Sequence, residues 1–415
     1  MTATSPLAPA PDAFAPAQLG PLQLRNRLIK CATFEGMTPD ALVTDELIEF
    51  HREHAAGGVA VSTVAYCAIA PEGRTDRHQI WLRPEAVPGL QRLTEAIRAE
   101  GAKAAAQLGH AGAVANSGSN RAKALGPGAI PAPMGMSLTH KVALDEIPGL
   151  LRKAATATKI AVDSGFDALE IHCGHNYLIS SFLSPLLNHR RDAYGGSLVN
   201  RARLAREMIE TVREAAGPDI AIWAKLGMYD GVGKPGPGRG PKPWRGFNVD
   251  EACEVARLLE SDGHLDAIEP TAGSSLLNPM YLFHGDAPRK AFAEAFHGAM
   301  KTGLQVAGPV FLKNYPYTDG YLMPLARELR AATSLPIILL GGITDRPSIE
   351  AAMREGFDFV AMGRALLREP DLPLRLAADP TTESRCTHCN LCMPTIYSQT
   401  RCPIRTGEVP DPLPA

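Results

Sequence analysis

No run of about 18 apolar residues occurs in the 415-residue sequence, so nothing in it reads as a membrane-spanning helix. The first twenty residues, MTATSPLAPAPDAFAPAQLG, lack the basic start and apolar core of a secretory signal. Residues 1–17 are therefore expected to form a flexible Ala/Pro tail on a cytoplasmic protein. An excess of charge is missing too: 42 Lys and Arg against 44 Asp and Glu leave a formal charge of -2. Neither nucleic acid nor an anionic membrane is favoured as a partner, and a small molecule is the default. Cysteine is sparse in the body of the chain, where Cys31, Cys67, Cys173 and Cys253 stand apart in apolar or helical contexts that suit buried, reduced thiols.

What is present is an apolar fraction of 45% and a length beyond the roughly 250 residues of one α/β barrel. Eight short apolar or β-branched runs are read as strands, over 28–33, 58–63, 103–107, 168–172, 221–226, 265–269, 336–340 and 359–362. Amphipathic stretches of helical period lie between them, over 44–56, 84–100, 147–164, 198–216, 249–261, 322–332 and 347–355. Eight βα repeats suit closure into a TIM (β/α)8 barrel, expected over 18–378, with a short Cys-containing extension over 379–415. Chemistry then belongs in the loops that follow the strands. Three connections, 110–145, 230–248 and 271–321, are long enough to be lids or substrate walls. The second is rich in Gly and Pro; its Lys234, Arg239, Lys242 and Arg245 read as a solvated linker rather than a dinucleotide loop.

One strand runs directly into Glu170-Ile171-His172-Cys173-Gly174-His175-Asn176-Tyr177. Two imidazoles are too few for a closed zinc site, although an HxxH pair could serve a metal-dependent lyase or aldolase. Alternatively, both imidazoles hydrogen-bond a carbonyl oxygen while Tyr177 supplies a proton, which stabilises the enolate charge formed when hydride adds to a conjugated alkene.

The motif continues as LISSFLSPLLNHRRDAYGGSLVN (178–200) and Arg201, a string that resembles Old Yellow Enzyme-type NADH:flavin oxidoreductases. Arg25-Asn26-Arg27, Pro71-Glu72-Gly73-Arg74, Gln107-Leu108-Gly109-His110-Ala111-Gly112, Gly341-Gly342-Ile343 and Met362-Gly363-Arg364 fall in the same family order, so the likeness covers roughly residues 18–375. The resemblance implies FMN on the barrel axis, NAD(P)H as co-substrate and an α,β-unsaturated carbonyl compound as acceptor, an ene-reductase activity. It assigns His172 and His175 to the substrate oxygen, Tyr177 to proton donation and Gln107 to the pyrimidine edge of the flavin. The backbone of Cys31, Ala32 and Thr33 would line the ring's other side.

The phosphate end has its own physical support, since Gly341-Gly342 and Gly363-Arg364 close strands seven and eight, whose loops form the usual phosphate site of such barrels. Gly-Gly could equally just turn the chain. Two departures from the family pattern stand out. Lys225 replaces an arginine near flavin N1 and cannot form a planar fork, and Phe34 replaces a small polar residue near the flavin carbonyl.

Cys386, Cys389, Cys392 and Cys402 form a CxxCxxC run with one distant thiol, a pattern open to an iron–sulfur cluster, zinc or free thiols packed under the barrel. It is similar to the cluster-binding segment of dienoyl-CoA reductases and trimethylamine dehydrogenase, which implies a [4Fe–4S] centre. The last gap is shorter here, and the 415 residues include none of the FAD- and NAD-binding domains of those longer relatives. Other expectations from sequence are an FMN/[4Fe–4S] dehydrogenase or demethylase passing electrons to a separate acceptor, and a flavin-binding barrel without catalysis. Substrate identity, the choice of NADH or NADPH, and a homo-oligomeric state are left open.

Overall fold

The computed structural model describes residues 10–233, 235 and 246–412. Lys234, Arg239, Lys242 and Arg245 lie outside the described residues. Eight parallel strands form the barrel: β1 (Leu28–Lys30), β2 (Val61–Ala68), β3 (Lys103–Gly109), β4 (Ala168–Cys173), β5 (Ala221–Gly227), β6 (Ala267–Thr271), β7 (Ile338–Leu340) and β8 (Phe359–Met362). Their order is β6-β5-β4-β3-β2-β1-β8-β7, and a parallel bridge between Ile268 and Ile337 joins the two ends into a ring. The expected barrel is therefore present. The strand limits differ at several ends. The first strand stops at Lys30 rather than 33, and the second runs over 61–68 rather than 58–63 because Gly58, at φ +104°, still belongs to the turn.

The barrel helices are α1 (Asp45–Ala56), α2 (Val87–Ala99), α3 (Ile147–Asp163), α4 (Leu198–Ala216), α5 (Val249–Asp262), α6 (Met323–Ala332), α7 (Arg346–Arg354), α8 (Arg364–Arg368) and α9 (Leu372–Ala378). Polar side chains start several of them by accepting orphan backbone N–H groups: Thr44 from Leu47 at 3.2 Å, Asn248 from Glu251 at 3.2 Å and Asp345 from Ser348 at 2.9 Å.

Inside the ring, neighbouring strands contribute the small residues Ala105, Ala168, Ala221 and Ala267 to one cluster with Trp223 and Phe359. An antiparallel hairpin, Ala17–Leu19 with Leu22–Leu24, packs Leu19, Leu22 and Leu24 into that same cluster and so closes the barrel floor. Where the expected tail is described it is partly packed: Ala13 is buried and Phe14 lies under the Arg346 guanidinium. Burial of alternating leucines begins before the first barrel strand, a signal too short to read as structure in the sequence.

The 271–321 connection contains two helices, Arg289–Glu294 and Gly298–Phe311. Among its described residues the extension has one short 3-10 turn, Pro394–Tyr397, and it is held by hydrogen-bonded anchors. Asn390 donates to the carbonyls of Phe283 and Asp286 at 2.8 and 2.9 Å, and Thr400 N donates to Glu35 O at 2.7 Å. It therefore folds against the loops after β1 and β6 rather than beneath the barrel, a correction of where these thiols were expected to pack.

Candidate functional site

Strand alternation sends Glu170 and His172 of β4 to the same side as Ala168, into the barrel. Register then sets Glu170 beside Gln107 on β3 and Trp223 on β5, and aligns His172 with Lys225 and Lys225 with Glu269. The outcome is a buried polar layer. Gln107 and Lys225 donate to Glu170 and Glu269 respectively, Trp223 Nε1 donates to Glu170 at 2.9 Å, and Lys225 Nζ lies 3.4 Å from Glu170. Burial opposes charge on Lys225, yet the two carboxylates raise its pKa above the ordinary value. Burial and the neighbouring Glu170 push Glu269 up to about 8, and its Oε2 has no hydrogen-bond partner.

His172 stands one step above this layer. Gly174 N donates to its Nδ1 at 3.2 Å, which fixes the neutral ring's proton on Nε2 as a free donor. The Tyr177 ring stacks on it at 4.4 Å and 25°, and the His175 ring meets it edge-on at 5.0 Å. His175 Nε2 pairs with Thr271 Oγ1 at 2.8 Å. Burial, His175 and Lys225 lower His172 well below the usual imidazole value, and burial with Lys225 takes His175 down to about 3. Both rings are neutral near pH 7. Burial raises the Tyr177 phenol, so it keeps its proton. The three residues singled out in the sequence are thus one constellation.

Their loop is held in a costly shape, with His175 at φ +60° and Asn176 at φ +57°. Buried Asn176 donates to Asp230 at 3.0 Å, and Asp230 also accepts from Ser184 Oγ and, at 2.9 Å, from Phe247 N. Sequence reasoning missed Asp230 itself, although the segment that it begins, 230–248, was read as a candidate lid or substrate wall whose cations suit a solvated linker. It also missed Tyr66, whose ring meets Tyr177 at 5.6 Å and whose hydroxyl donates to Gly73 O. Phe34 and Tyr177 each pack against the cluster that contains Tyr66.

Cys31, Ala32 and Thr33 follow β1 directly, and a Cβ at Gly363 would stand 3.0 Å from Cys31 Sγ. Gly341 and Gly342 adopt φ +103° and +78°, and a Cβ at Gly342 would come within 2.6 Å of Gly320 N. Close packing against the 318–322 turn accounts for this glycine, so a phosphate role needs separate grounds. Arg364 donates to His284 O at 2.8 Å and to Asn390 Oδ1. His284 stacks on Tyr321 at 4.2 Å, both from the long connection before α6, and neither carried a signal in the sequence.

Cys386, Cys389, Cys392 and Cys402 line one cavity with Arg364, Arg368 and Arg385. Burial raises Cys386 and takes Cys392 up to about 12. Among the described residues, no three His, Cys, Asp or Glu side chains are placed to hold a metal ion, at these cysteines or at the histidine pair.

The family model for the NADH:flavin oxidoreductase / NADH oxidase family matches residues 12–240. The chain is 49% identical over 402 residues to 4,4'-dithiodibutanoate disulfide reductase of Rhodococcus erythropolis, covering 97% of each. It is 33% identical to a metal reductase of Desulforamulus reducens, covering 91% of this chain and 50% of that one. Among solved structures, 2-naphthoyl-CoA reductase shares the fold with a TM-score of 0.78 at 23% identity, over 95% of this chain and 57% of that one. The old yellow enzyme homologue of Zymomonas mobilis does so with a TM-score of 0.70 at 21% identity, over 97% and 100%.

Proposed function

Because the chain belongs to the NADH:flavin oxidoreductase / NADH oxidase family and is an NAD(P)H-dependent flavin oxidoreductase, we propose that it reduces the carbon–carbon double bond of an α,β-unsaturated carbonyl compound. The observation that carries this reading is the neutral His172 Nε2–H beside a protonated, stacked Tyr177.

Bound FMN supplies hydride transfer, from NAD(P)H and onward to an acceptor. The donor set suits it. Buried Gln107 offers an amide at the inner layer, Lys225 a cation for negative charge, and Glu269 Oε2 is a buried acceptor still without a partner. The backbone of Cys31, Ala32 and Thr33 would line one side of the ring. Gly341, Gly342, Gly363 and Arg364 would hold the phosphate at the ends of β7 and β8.

The chain's own chemistry follows from charge. Hydride arriving at the β carbon builds negative charge on the carbonyl oxygen, and N–H donors from His172 and His175 stabilise it because neutral rings in a buried site need no reorganisation. Tyr177 gives its proton to the α carbon and recovers one from solvent. The sum is one double bond reduced and one NAD(P)H oxidised.

A second reading is favoured by the full-length likeness to the Rhodococcus disulfide reductase. There the hydride would cleave a sulfur–sulfur bond, with Tyr177 protonating the departing thiolate to leave two thiols. Anaerobic, NAD(P)H-reduced enzyme mixed with 2-cyclohexenone or with 4,4'-dithiodibutanoate separates the two. Faster return of flavin colour with the enone supports ene reduction, while reoxidation by the disulfide alone replaces it with the second reading.

The four thiols of the extension line one cavity, and their CxxCxxC spacing with one distant thiol suits a [4Fe–4S] centre. Iron and acid-labile sulfide in anaerobically purified protein would support that occupant, and their absence removes it.

A further inference from the structure

The buried layer beneath His172 sets one ammonium, Lys225, between two carboxylates, Glu170 on β4 and Glu269 on β6. The carboxylates differ in what they hold. Both oxygens of Glu170 are taken, Oε1 by Gln107 and Oε2 by Trp223 Nε1 at 2.9 Å. Glu269 has Lys225 on Oε1 and no partner on Oε2, although the residue is fully buried. A proton can be carried on that oxygen without displacing a hydrogen bond.

This pair adjoins the reacting groups. Cross-strand register sets His172 opposite Lys225 and Lys225 opposite Glu269. Thr271, two residues beyond Glu269 on β6, pairs through Oγ1 with His175 Nε2 at 2.8 Å. The surrounding titratable groups do not compete for the proton. Burial keeps both imidazoles neutral and the Cys31 thiol protonated. From β7, on the other side of Glu269, Ile338 and Leu340 turn inward. Lys30 of β1 donates to Thr63 O at 3.0 Å, lies 3.6 Å from Glu35 and stands over the Phe50 ring of α1. Burial and the neighbouring Glu170 raise the Glu269 carboxyl to about 8, so it is ionised above that pH and protonated below it.

We propose that Glu269, acting through Lys225, sets the reducing power of the bound cofactor: its carboxylate offsets the ammonium, disfavours the negative charge that reduction brings, and takes up a proton when that charge arrives. The proposal rests on the reading that FMN is seated against Gln107 and Lys225. Hydride leaving NAD(P)H brings two electrons and one proton to the site, which gains one negative charge as NAD(P)+ departs. A solvent proton then binds the Glu269 carboxylate, and it returns to solvent when the hydride passes to the acceptor. With the carboxylate ionised, the loaded site is a stronger reductant than Lys225 alone would make it.

The test is a potentiometric titration of FMN-loaded full-length enzyme against indicator dyes, from about pH 6 to pH 9.5, as wild type and Glu269→Gln. Each proton taken up by a two-electron couple moves the midpoint by about 30 mV per pH unit. The wild-type slope is expected to steepen as pH rises through about 8, from about 30 toward about 60 mV per pH unit, because only the ionised carboxylate can take up the second proton. In Glu269→Gln the bend is absent. Its midpoint at about pH 9 lies about 30 mV above wild type, a tenfold gain in affinity for reduced over oxidised cofactor, and the two midpoints converge at about pH 6. A wild-type profile that runs straight through this range, or a bend that survives in Glu269→Gln, overturns the proposal. Should the variant not load with FMN, infrared difference spectra of the wild type decide: a protonated-carboxyl band that appears on reduction above pH 8 supports the proposal, and its absence overturns it. A wild type that takes up no FMN removes the functional reading and the proposal together. Loaded enzyme that reduces neither an enone nor a disulfide removes the functional reading alone, since the titration uses no acceptor.

Discussion

At the scale of single residues, Lys225 shows how a change that looks conservative is absorbed by its surroundings. Its ammonium lies between Glu170 and Glu269, both fully buried, and removing it leaves two carboxylates without a cation. Lys225→Met is expected to cost about 3–5 kcal/mol of folding stability at pH 8, the usual penalty for stripping one partner from a buried pair. The loss should shrink at pH 5.5, because Glu269, already raised to about 8, then takes up a proton instead of staying charged. Urea midpoints at the two pH values check this, and equal losses would remove the triad from the account. The sequence showed Lys225, which the family resemblance assigns to the cofactor, but not its pairing with Glu269. That pairing is a matter of cross-strand register between β5 and β6, which no local pattern encodes. The same holds for Asn176 and Asp230, 54 positions apart. The histidines and Tyr177 were legible because one strand and its loop carry all three.

At the scale of elements, the repeated units were readable because a buried parallel strand is a near-continuous apolar run. β4 and β5 are buried along their whole length. Ends were less readable, since glycines such as Gly58 decide where extended chain begins. The floor hairpin and the extension escaped for a different reason. The hairpin strands are three residues each, and the extension has no periodicity because it is held by anchors such as Asn390 and Thr400. Close approach between elements was also invisible in the sequence. A Cβ on Gly112, at φ +59°, would stand 2.7 Å from Leu178 N, at the first turn of the helix that begins beside Tyr177. This glycine lets the loop after β3 support the proton donor.

At the scale of the whole molecule, seven imidazoles are held neutral by burial: His51, His54, His110, His172, His175, His284 and His388. For His110, His284 and His388 the folded value is about 4, below the ordinary value near 6.5. A depressed histidine contributes its full share of stability above the unfolded value and loses it as protons bind the unfolded chain first. Glu35 and Glu269, raised to about 7 and about 8, act in the opposite sense but are outnumbered. The melting temperature should therefore fall as pH drops from 6.5 toward 4, and a flat profile across that window would contradict neutral burial of these rings. Among the described residues, no helix is long and apolar enough to cross a membrane.

The central claim is that Tyr177 hands a proton to an acceptor whose oxygen is held by His172 and His175. Stopped-flow measurement of the two half-reactions in Tyr177→Phe tests it most directly. Flavin reduction by NAD(P)H should proceed at nearly the wild-type rate, while reoxidation by the acceptor slows about a hundredfold or more, as loss of a positioned general acid implies. Equal slowing of both halves, or none in either, would contradict the account.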